Sequence, residues 1–253
     1  MNQVIHGDCL EEMKNIADKS IDMILCDLPY WTTACKWDTI IPFEPLWEQY
    51  KRIIKDNGAI VLFGSEPFSS ALRMSNIKDY KYDWVWEKSK ASNFLQAKYM
   101  PLKAHENILI FGKGKVNYYP QKTEGKSFNK GSRKNDNKII TEVYNKIPNA
   151  GMEIVNKNGL RNPRSVQYFV TAEREGKRHP TQKPVALFEY LIRTYTNEWD
   201  LVLDNCAGSF TTSIASDNLK RNWICIEQEE NYCEIGRKRI NENRLKLWLD
   251  FVC

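Results

Sequence analysis

Short runs of apolar residues alternate along the chain with stretches in which apolar positions recur every three or four residues. The second kind of spacing predicts helices, including one that ends at Asn57-Gly58 and a last long one over Glu229–Trp248. Because strands and helices alternate, the pattern predicts an α/β protein with a mainly parallel sheet. Seven apolar runs are the predicted strands, and they lie at Val4–His6, Ile21–Asp27, Ala59–Gly64, Tyr82–Glu87, Glu106–Phe111, Leu201–Asp204 and Trp223–Glu227.

This pattern ends at Gly112 and returns at about His179. Between these positions Lys, Asn, Gly and Ser dominate, and apolar periodicity is lost. A structureless connection of that length is uncommon inside a compact domain unless it has a function of its own. The sequence therefore predicts three parts, with residues 1–112 and 179–253 as two halves of one domain and residues 113–178 as an insertion.

The insertion also carries the positive charge of the chain. The net charge is +5 over 253 residues, but the insertion alone has fifteen Lys and Arg against six Asp and Glu, which leaves the rest negative. Aromatic residues interleave with the basic ones, and this mixture is typical of a nucleic-acid surface. A disordered insertion is the alternative. The aromatic residues are Tyr118, Tyr119, Phe128, Tyr144, Tyr168 and Phe169.

The remaining composition excludes several classes of protein. Hydrophobic residues make up 42% of the chain, which is enough for an ordinary core. No apolar stretch approaches the length of a membrane span and the start lacks the pattern of a signal peptide, so we expect a cytosolic protein. The seven cysteines form no Cys-x-x-Cys pair, so neither a disulfide framework nor a metal site is indicated.

The first candidate site is the sequence Asp27-Leu28-Pro29-Tyr30, which follows the second predicted strand. The apolar run before it is typical of a strand buried on both faces in a parallel sheet, where ligands bind at the carboxyl ends of strands. Pro29 fixes its own φ and restricts the residue before it, so the carboxylate and the aromatic ring are held in place. An ordinary proline-containing turn is the alternative.

The second candidate site lies between Leu201 and Glu227, where strand, small-residue turn, helix and strand follow one another. Small residues let the backbone approach a nucleoside, and an acidic side chain about twenty residues further on can accept hydrogen bonds from ribose hydroxyls. Glu227 lies 23 residues after Asp204. The turn offers only Gly208 and the chain has no Gly-Lys-Ser/Thr sequence, which disfavours a nicotinamide dinucleotide and a Walker loop.

Three sequences together resemble motifs of the amino-methylating DNA methyltransferases. Asp27–Tyr30 resembles their catalytic Asp-Pro-Pro-Tyr tetrapeptide, and Asp204–Thr212 resembles their S-adenosylmethionine motif, usually Asp-Pro-Phe-x-Gly-Ser-Gly-Thr-Thr. His179–Pro184 resembles the segment that precedes this motif and contributes to the cofactor pocket. The motifs lie in the order of the family's β group, and the resemblance extends from Ile5 to about Arg239.

The resemblance implies an α/β, Rossmann-like sheet of seven strands in circularly permuted order, with an inserted target-recognition region at 113–178. It implies Asp27, Pro29 and Tyr30 as catalytic residues and S-adenosylmethionine as the cofactor. Asp8 resembles a position that helps to bind the cofactor's adenine, and an exposed turn aspartate is the alternative. The implied cofactor-binding residues are Asp8, His179, Thr181, Lys183, Asp204, Ala207, Gly208, Ser209, Phe210, Thr211, Thr212 and Glu227.

The chain departs from the family pattern at three positions. Leu28 replaces the first proline of the tetrapeptide, Cys206 stands where Phe is common, and Phe210 replaces the second glycine of the cofactor motif. The Phe210 ring could crowd the cofactor, or it could turn away and fill the space left at Cys206. The sequence leaves this choice open.

The resemblance implies transfer of a methyl group to adenine N6 in double-stranded DNA. Asp27 would accept an N–H of the amino group, and the base would be flipped out of the duplex and stacked on Tyr30. Asp rather than Ser at position 27 favours adenine over cytosine N4, which stays an alternative. A catalytically weak DNA-binding relative is another, and methylation of RNA or protein would leave the basic insertion unexplained. The implied partner is double-stranded DNA without a membrane, in a cytoplasmic protein of a bacterium or phage. A homodimer and a cognate restriction enzyme stay open.

Overall fold

The computed structural model of the chain describes residues 2–31, 39–132, 153–175 and 182–252. It divides into two compact units. The main unit comprises Met1–Tyr119 and Ser165–Cys253, and the inserted unit comprises Pro120–Arg164.

The described residues form ten strands and six α-helices. The strands are β1 (Asn2–His6), β2 (Ile21–Cys26), β3 (Ile54–Gly64), β4 (Tyr80–Ser92), β5 (Lys103–Phe111), β6 (Phe128–Ser132), β7 (Glu153–Asn156), β8 (Val166–Phe169), β9 (Leu201–Asp204) and β10 (Asn222–Glu227). The helices are α1 (Cys9–Glu12), α2 (Phe43–Ile53), α3 (Phe68–Ser75), α4 (Val185–Tyr195), α5 (Thr211–Asn218) and α6 (Glu230–Val252).

Eight of these strands form the sheet of the main unit in the order β1-β10-β9-β2-β3-β5-β4-β8. The pairs from β1 to β3 are parallel, whereas β5 runs antiparallel to both β3 and β4. The carboxyl ends of β1, β10, β9, β2 and β3 therefore meet at one edge of the sheet, together with the beginning of β5. In the inserted unit, β6 and β7 form an antiparallel pair.

The seven predicted strands are all present, and the central one shows why they are recognisable. Along β2, Met23 and Leu25 pack into the core on one face, while Ile24 and Cys26 pack into the core on the other. All four side chains are fully buried. An unbroken apolar run is therefore required at β2, and the strand holds the following Asp27 rigidly at the sheet edge.

Two features of the fold differ from the predictions. The prediction that Asn57-Gly58 ends a helix is wrong, because α2 ends at Ile53 and β3 begins at Ile54. Gly58 lies inside β3 at an irregularity of the β2–β3 pairing, where a Cβ atom would come within 2.8 Å of the Asp22 carbonyl oxygen. Gly58 therefore allows the two strands to approach each other closely, and it does not end a helix.

The second difference is the eighth strand. β8 lies within the predicted insertion but pairs in parallel with the edge strand β4 of the main unit. β8 is the last strand at this edge of the sheet, so it has a neighbouring strand on one side only, and its residues are exposed or half-buried. An edge strand of four residues has too few buried positions to give an apolar pattern. Among the described residues, no helix is long and apolar enough to cross a membrane.

Candidate active site

A cavity of about 1180 Å³ opens in the main unit at the carboxyl ends of β2, β9 and β10. Sites for one small molecule are typically about 300–1,000 Å³, so the cavity has room for more than one ligand. Both candidate sites of the sequence analysis contribute to its wall. The predicted residues that line it are Asp8, Asp27, Pro29, Tyr30, Lys183, Asp204, Ala207, Gly208, Ser209, Thr211 and Glu227.

The Asp27 carboxylate is held from two sides. The Tyr30 hydroxyl donates a hydrogen bond to Asp27 Oδ1, and the Lys183 ammonium donates to Asp27 Oδ2. Lys183 directly precedes Pro184, the N-cap residue of α4, which places its ammonium beside the end of β2. A carboxylate oxygen has more than one lone pair, so Asp27 can still accept hydrogen bonds from a ligand in the cavity.

Lys183 belongs to a network of four alternating charges, formed by Asp27, Lys183, Glu106 and Lys88. Lys183 Nζ lies 3.3 Å from Glu106 Oε2, and Lys88 Nζ donates to Glu106 Oε1 at 2.8 Å. The four side chains are between 8% and 20% exposed. Because buried charges are costly unless paired, two ammonium and two carboxylate groups in alternation are a balanced arrangement.

The network controls the protonation of the site. Burial raises the pKa of Asp27, the Lys183 ammonium lowers it, and the nearby Glu106 carboxylate raises it again. Burial lowers the pKa of Lys183, but the Asp27 and Glu106 carboxylates together raise it above its usual value. Lys183 therefore stays protonated and favours the carboxylate form of Asp27, whose pKa is on balance raised by burial.

The ring of Tyr30 is half-buried beside the network. It packs on Phe68 with the ring centroids 5.0 Å apart and an interplanar angle of 30°. Lys183 Nζ lies 5.9 Å from the Tyr30 ring centroid and 5.4 Å from that of Phe63. The sequence suggested a role for the ring alone, whereas the structure adds its hydroxyl as a partner of Asp27.

Asp204 orders the turn between β9 and α5. Its carboxylate accepts hydrogen bonds from the Cys206 N–H at 3.1 Å and from the Thr212 hydroxyl at 2.5 Å. Burial raises the pKa of Asp204 to about 7. Thr212 is fully buried and does not line the cavity, so its contribution is to hold Asp204 beneath the turn.

Glu227, the last residue of β10, stabilises the same turn through hydrogen bonds. Its carboxylate accepts from the Gly208 N–H at 2.7 Å and from the Glu229 N–H at 2.9 Å. Gly208 has a φ of +48°, a conformation that glycine adopts without strain. The small residues Ala207 and Gly208 leave the wall open beside Glu227, and this combination fits the ribose of a nucleoside cofactor.

Asp8 lies after β1 at the rim of the cavity. Its Oδ1 accepts from the backbone N–H groups of Leu10 and Glu11 at 2.9 and 3.2 Å, so the side chain caps α1. The turn-aspartate alternative accounts for these bonds, and its position at the cavity is also compatible with cofactor contact. His179 and Thr181 lie outside the described residues.

Phe210 is, with Thr212, one of the two described cofactor-binding predictions that do not line the cavity. Its ring is fully buried, does not line the cavity and packs against Gly236 of α6, where a Cβ atom would come within 2.2 Å of the ring. Its φ is +61°, which costs about 1–2 kcal/mol for a residue with a side chain. Burying a Phe side chain contributes about 1.5–3 kcal/mol, which offsets that cost. The ring does not crowd the cavity.

Sequence reasoning missed three polar residues that support the site. Glu106 and Lys88 complete the charge network, and Arg239 of α6 donates to the Ser209 carbonyl at 2.7 Å and to Thr211 Oγ1 at 3.1 Å. Arg239 is buried, which is unusual for arginine, and its guanidinium stabilises the turn through these hydrogen bonds. The only signal for Glu106 was a charged residue at the start of the predicted strand Glu106–Phe111, which lies within β5.

Comparisons with known proteins agree with this geometry. A family model described as DNA methylase, for N6 and N4 methyltransferases, matches residues 21–238. DNA adenine methyltransferase YhdJ of Escherichia coli K12 is 32% identical over 94% of this chain and 82% of that enzyme. Type II methyltransferase M.HinfI of Haemophilus influenzae is 28% identical over 96% of this chain and 69% of that enzyme.

Two solved structures show the same architecture. The M1.HpyAVI–SAM complex has 25% identity and a TM-score of 0.66, and the match covers 95% of this chain and 100% of that one. The cytosine-N4-specific PvuII DNA methyltransferase shares the fold at 16% identity, with a TM-score of 0.64 over 96% and 90% of the two chains. These matches agree with a cavity that has Asp27 at one end and Glu227 at the other. The chain therefore belongs to the DNA methylase family and is a DNA methyltransferase that uses S-adenosylmethionine.

Proposed function

We propose that the enzyme methylates adenine N6 at a specific sequence of double-stranded DNA, with the adenine flipped out of the duplex into the cavity. The observation that carries this proposal is the Asp27 carboxylate, which lines the same cavity as Glu227 and is held by Tyr30 and Lys183. A carboxylate fixed in this way can orient an amino group that has little nucleophilicity of its own.

Positioning is the main contribution of these residues. The lone pair of an exocyclic amino group is delocalised into the ring, so the nitrogen must be held in line with the group that it attacks. Asp27 would accept one of its N–H bonds. The cofactor, when bound, supplies an electrophilic methyl group, and Glu227 with the turn at Ala207 and Gly208 would hold its ribose. The methyl group would leave its sulfonium sulfur as it bonds to the nitrogen, and the nitrogen would lose one proton to Asp27.

The residues around Asp27 suit the acceptance of that proton. Burial and Glu106 raise the pKa of Asp27, while the Lys183 ammonium opposes this rise and favours the carboxylate form. General bases work best when their pKa lies near the operating pH, and a raised carboxylate moves in that direction. Tyr30 and Lys183 would then hold the carboxyl group in one orientation throughout the reaction.

Base flipping would bring the amino group of the target adenine into the cavity. A target atom inside a duplex cannot reach a cavity at the end of a sheet, and extrusion of the base costs a few kcal/mol. Stacking of the extruded ring on Tyr30 would return about 1–3 kcal/mol. Phe68 supports the Tyr30 ring at 5.0 Å and keeps it in place.

Adenine is favoured over cytosine by Asp at position 27 and by the name of the relative YhdJ, a DNA adenine methyltransferase. Cytosine N4 is the second candidate, since a cytosine-N4-specific enzyme has the same fold. Nucleoside mass spectrometry of DNA treated with the enzyme and S-adenosylmethionine tests the proposal. N6-methyladenine is expected, and N4-methylcytosine would overturn the base assignment.

Residues 113–178 are proposed as the target-recognition region. Their basic and aromatic composition suits DNA, and in the inserted unit Arg161 and Lys130 lie 4.6 and 5.2 Å from the ring centroid of Phe128. Replacing residues 120–164 by a Gly/Ser linker should leave S-adenosylmethionine binding intact and abolish site selection. Methylation by that variant at the parent sequence would place recognition elsewhere.

The biological setting is proposed from the relatives. Type II methyltransferases such as M.HinfI support a cytoplasmic role beside a cognate restriction enzyme in a bacterium or phage. Resistance of the host DNA to the nuclease encoded near the gene would test this role. Assembly into a homodimer stays a prediction, and sedimentation would measure it.

A further inference from the structure

The connection between β4 and β5 exposes an unusual group of apolar side chains. This connection, Asn93–Leu102, is called the β4–β5 tip. Phe94, Leu95 and Tyr99 are 74%, 80% and 82% exposed, and Met100 and Leu102 are about half exposed. Exposed apolar residues are common singly, but a contiguous group of them marks a surface that binds something.

The tip is held by its own hydrogen bonds. Asn93 starts it in the left-handed conformation, with a φ of +68°. The Gln96 N–H donates to the Asn93 carbonyl at 3.0 Å, and the Tyr99 N–H donates to the Gln96 carbonyl at 2.8 Å. These local bonds fix the turn without burying its apolar side chains, so Phe94 and Leu95 are presented outward by an ordered backbone.

The position of the tip points to the substrate. Asn93 and Phe94 line the cavity that also contains Asp27 and Tyr30. The exposed apolar group therefore begins where a flipped base would enter. Any duplex whose base enters this cavity must place its neighbouring bases close to the tip.

The charge around the tip fits the same partner. Residues 88–103 contain Lys88, Lys90, Lys98 and Lys103 but no Asp or Glu. Lys88 belongs to the charge network and Lys90 pairs with Glu173 at 3.0 Å, while Lys98 is exposed. An apolar surface flanked by lysines suits DNA, whose phosphates attract cations and whose base steps accept apolar wedges.

We propose that the β4–β5 tip is a wedge that enters the duplex beside the target base, with Phe94 and Leu95 taking the place that the base leaves in the stack. This inference rests on the proposed function, because it needs a base that leaves the duplex. The wedge stabilises the flipped state, and it acts separately from the inserted unit.

The test compares two substrates with the double variant F94A/L95A. The first is a duplex with the methylation site that single-molecule sequencing identifies in DNA from cells expressing the enzyme. The second is the same duplex with an abasic site opposite the target adenine, which removes its pairing. The variant should lose at least about tenfold in rate on the paired duplex, since flipping costs a few kcal/mol. It should lose less than about twofold on the abasic duplex.

Two further measurements keep the test specific. Fluorescence of 2-aminopurine at the target position should rise on binding of the parent enzyme and rise less with F94A/L95A. Ile77→Ala is the matched control, since Ile77 is 56% exposed but precedes β4, at the opposite end of the sheet from the cavity. This control should match the parent on both substrates.

Several results would overturn the wedge. Equal losses on the two duplexes, or no loss on the paired one, would remove the tip from base flipping. Sedimentation could also show a dimeric parent and a monomeric F94A/L95A variant. Together with equal losses of rate on both duplexes, that result would show that the tip binds a second copy of the chain instead. A parent enzyme that methylates neither duplex would contradict the proposed function itself, and this outcome is distinct from a failure of the variant alone.

Discussion

Asp27 follows β2 and Asp204 ends β9, the neighbouring strand in the sheet, yet the two carboxyl groups have different environments. β2 and β9 pair in parallel, so both carboxylates lie at the same edge. Asp27 receives a proton donor with a full positive charge, the Lys183 ammonium. Asp204 receives only neutral donors, the Thr212 hydroxyl and the Cys206 N–H, and is 3% exposed.

The difference shows how one edge of a sheet holds two carboxyl groups in different electrostatic environments, and we propose that only Asp27 is reactive. A buried carboxyl group without a cation protonates near neutral pH, as the pKa of about 7 for Asp204 shows. An ammonium beside a buried carboxyl group lowers the pKa of that group, as Lys183 does for Asp27, and so favours the ionised form that can accept hydrogen bonds. Both residues are aspartates at the carboxyl ends of neighbouring strands, so their hydrogen-bond partners distinguish them.

The comparison is tested most strongly by Asp27→Asn. The amide keeps the shape of the side chain but cannot accept a proton, so the methylation rate should fall by about 10²–10⁴-fold, the range of general acid–base catalysis. Binding of S-adenosylmethionine, measured by calorimetry, should stay near that of the parent. A variant with more than about a tenth of the parent rate would contradict the role of Asp27.

Asp204→Asn should instead change the pH dependence of stability. The folded state binds a proton at Asp204 up to about pH 7, whereas the unfolded chain releases it near pH 4. The parent therefore loses up to about 4 kcal/mol of unfolding free energy as the pH rises from about 4 to 7. The asparagine variant cannot lose this contribution, so the stability of the parent relative to the variant should fall across this range.

Chemical denaturation of both proteins at several pH values measures that difference. Titrating groups that do not interact with Asp204 contribute equally to the two proteins and cancel. A difference that stays constant with pH would mean that Asp204 is ionised throughout.

Glu227→Ala addresses the cofactor end of the cavity. If Glu227 accepts hydrogen bonds from ribose, as we propose, its loss should weaken S-adenosylmethionine binding by about 10–100-fold, since hydrogen bonds to charged groups contribute about 1.5–3 kcal/mol. Calorimetry on the variant, with a melting curve to verify its fold, measures this loss. Glu230→Ala is the control, because Glu230 pairs with His6 and does not line the cavity. Unchanged affinity in Glu227→Ala would remove Glu227 from the site.

Much of this site could be predicted because the decisive residues lie close to recognisable strands. Asp27 follows an unbroken apolar run, and Asp204 and Glu227 end strands that flank a turn of small residues. Local sequence alone carries these signals. Burial of both faces of β2 requires the apolar run, and the turn requires small residues.

The rest depends on contacts between residues that are distant in the chain. Glu106 meets Lys88 because β4 and β5 pair with Trp86 opposite Glu106, a register that no local pattern specifies. Phe210 packs on Gly236, 26 residues later, and a glycine inside a helix is the only trace of this contact in the sequence. Pairing register and packing between helices therefore limited the sequence analysis.

Tyr30 tests how much of the Asp27 environment comes from the aromatic ring. Tyr30→Phe removes one hydrogen bond to Asp27, worth about 1 kcal/mol, so the rate should fall by about fivefold. Tyr30→Ala also removes the stacking surface and should lose a further 1–3 kcal/mol, about 5–150-fold. Steady-state rates on one duplex substrate compare the two variants. Equal losses would contradict the stacking of the base on Tyr30.

Glu106→Gln should give the smallest effect, and it separates the charge network from simple packing. Glu106 raises the pKa of Asp27, so removing its charge lets Lys183 act on Asp27 alone and lowers that pKa. In the proposed mechanism Asp27 acts as a carboxylate, so the rate should fall when the pH drops below its pKa. The acidic limb of the pH–rate profile should therefore move to lower pH in the variant. Asp83→Asn is the control. Asp83 lies on β4 of the same sheet and forms an ion pair with Arg73 of α3, so this change should leave the acidic limb in place. A reduced rate without any movement of the limb would mean that Glu106 acts only by packing.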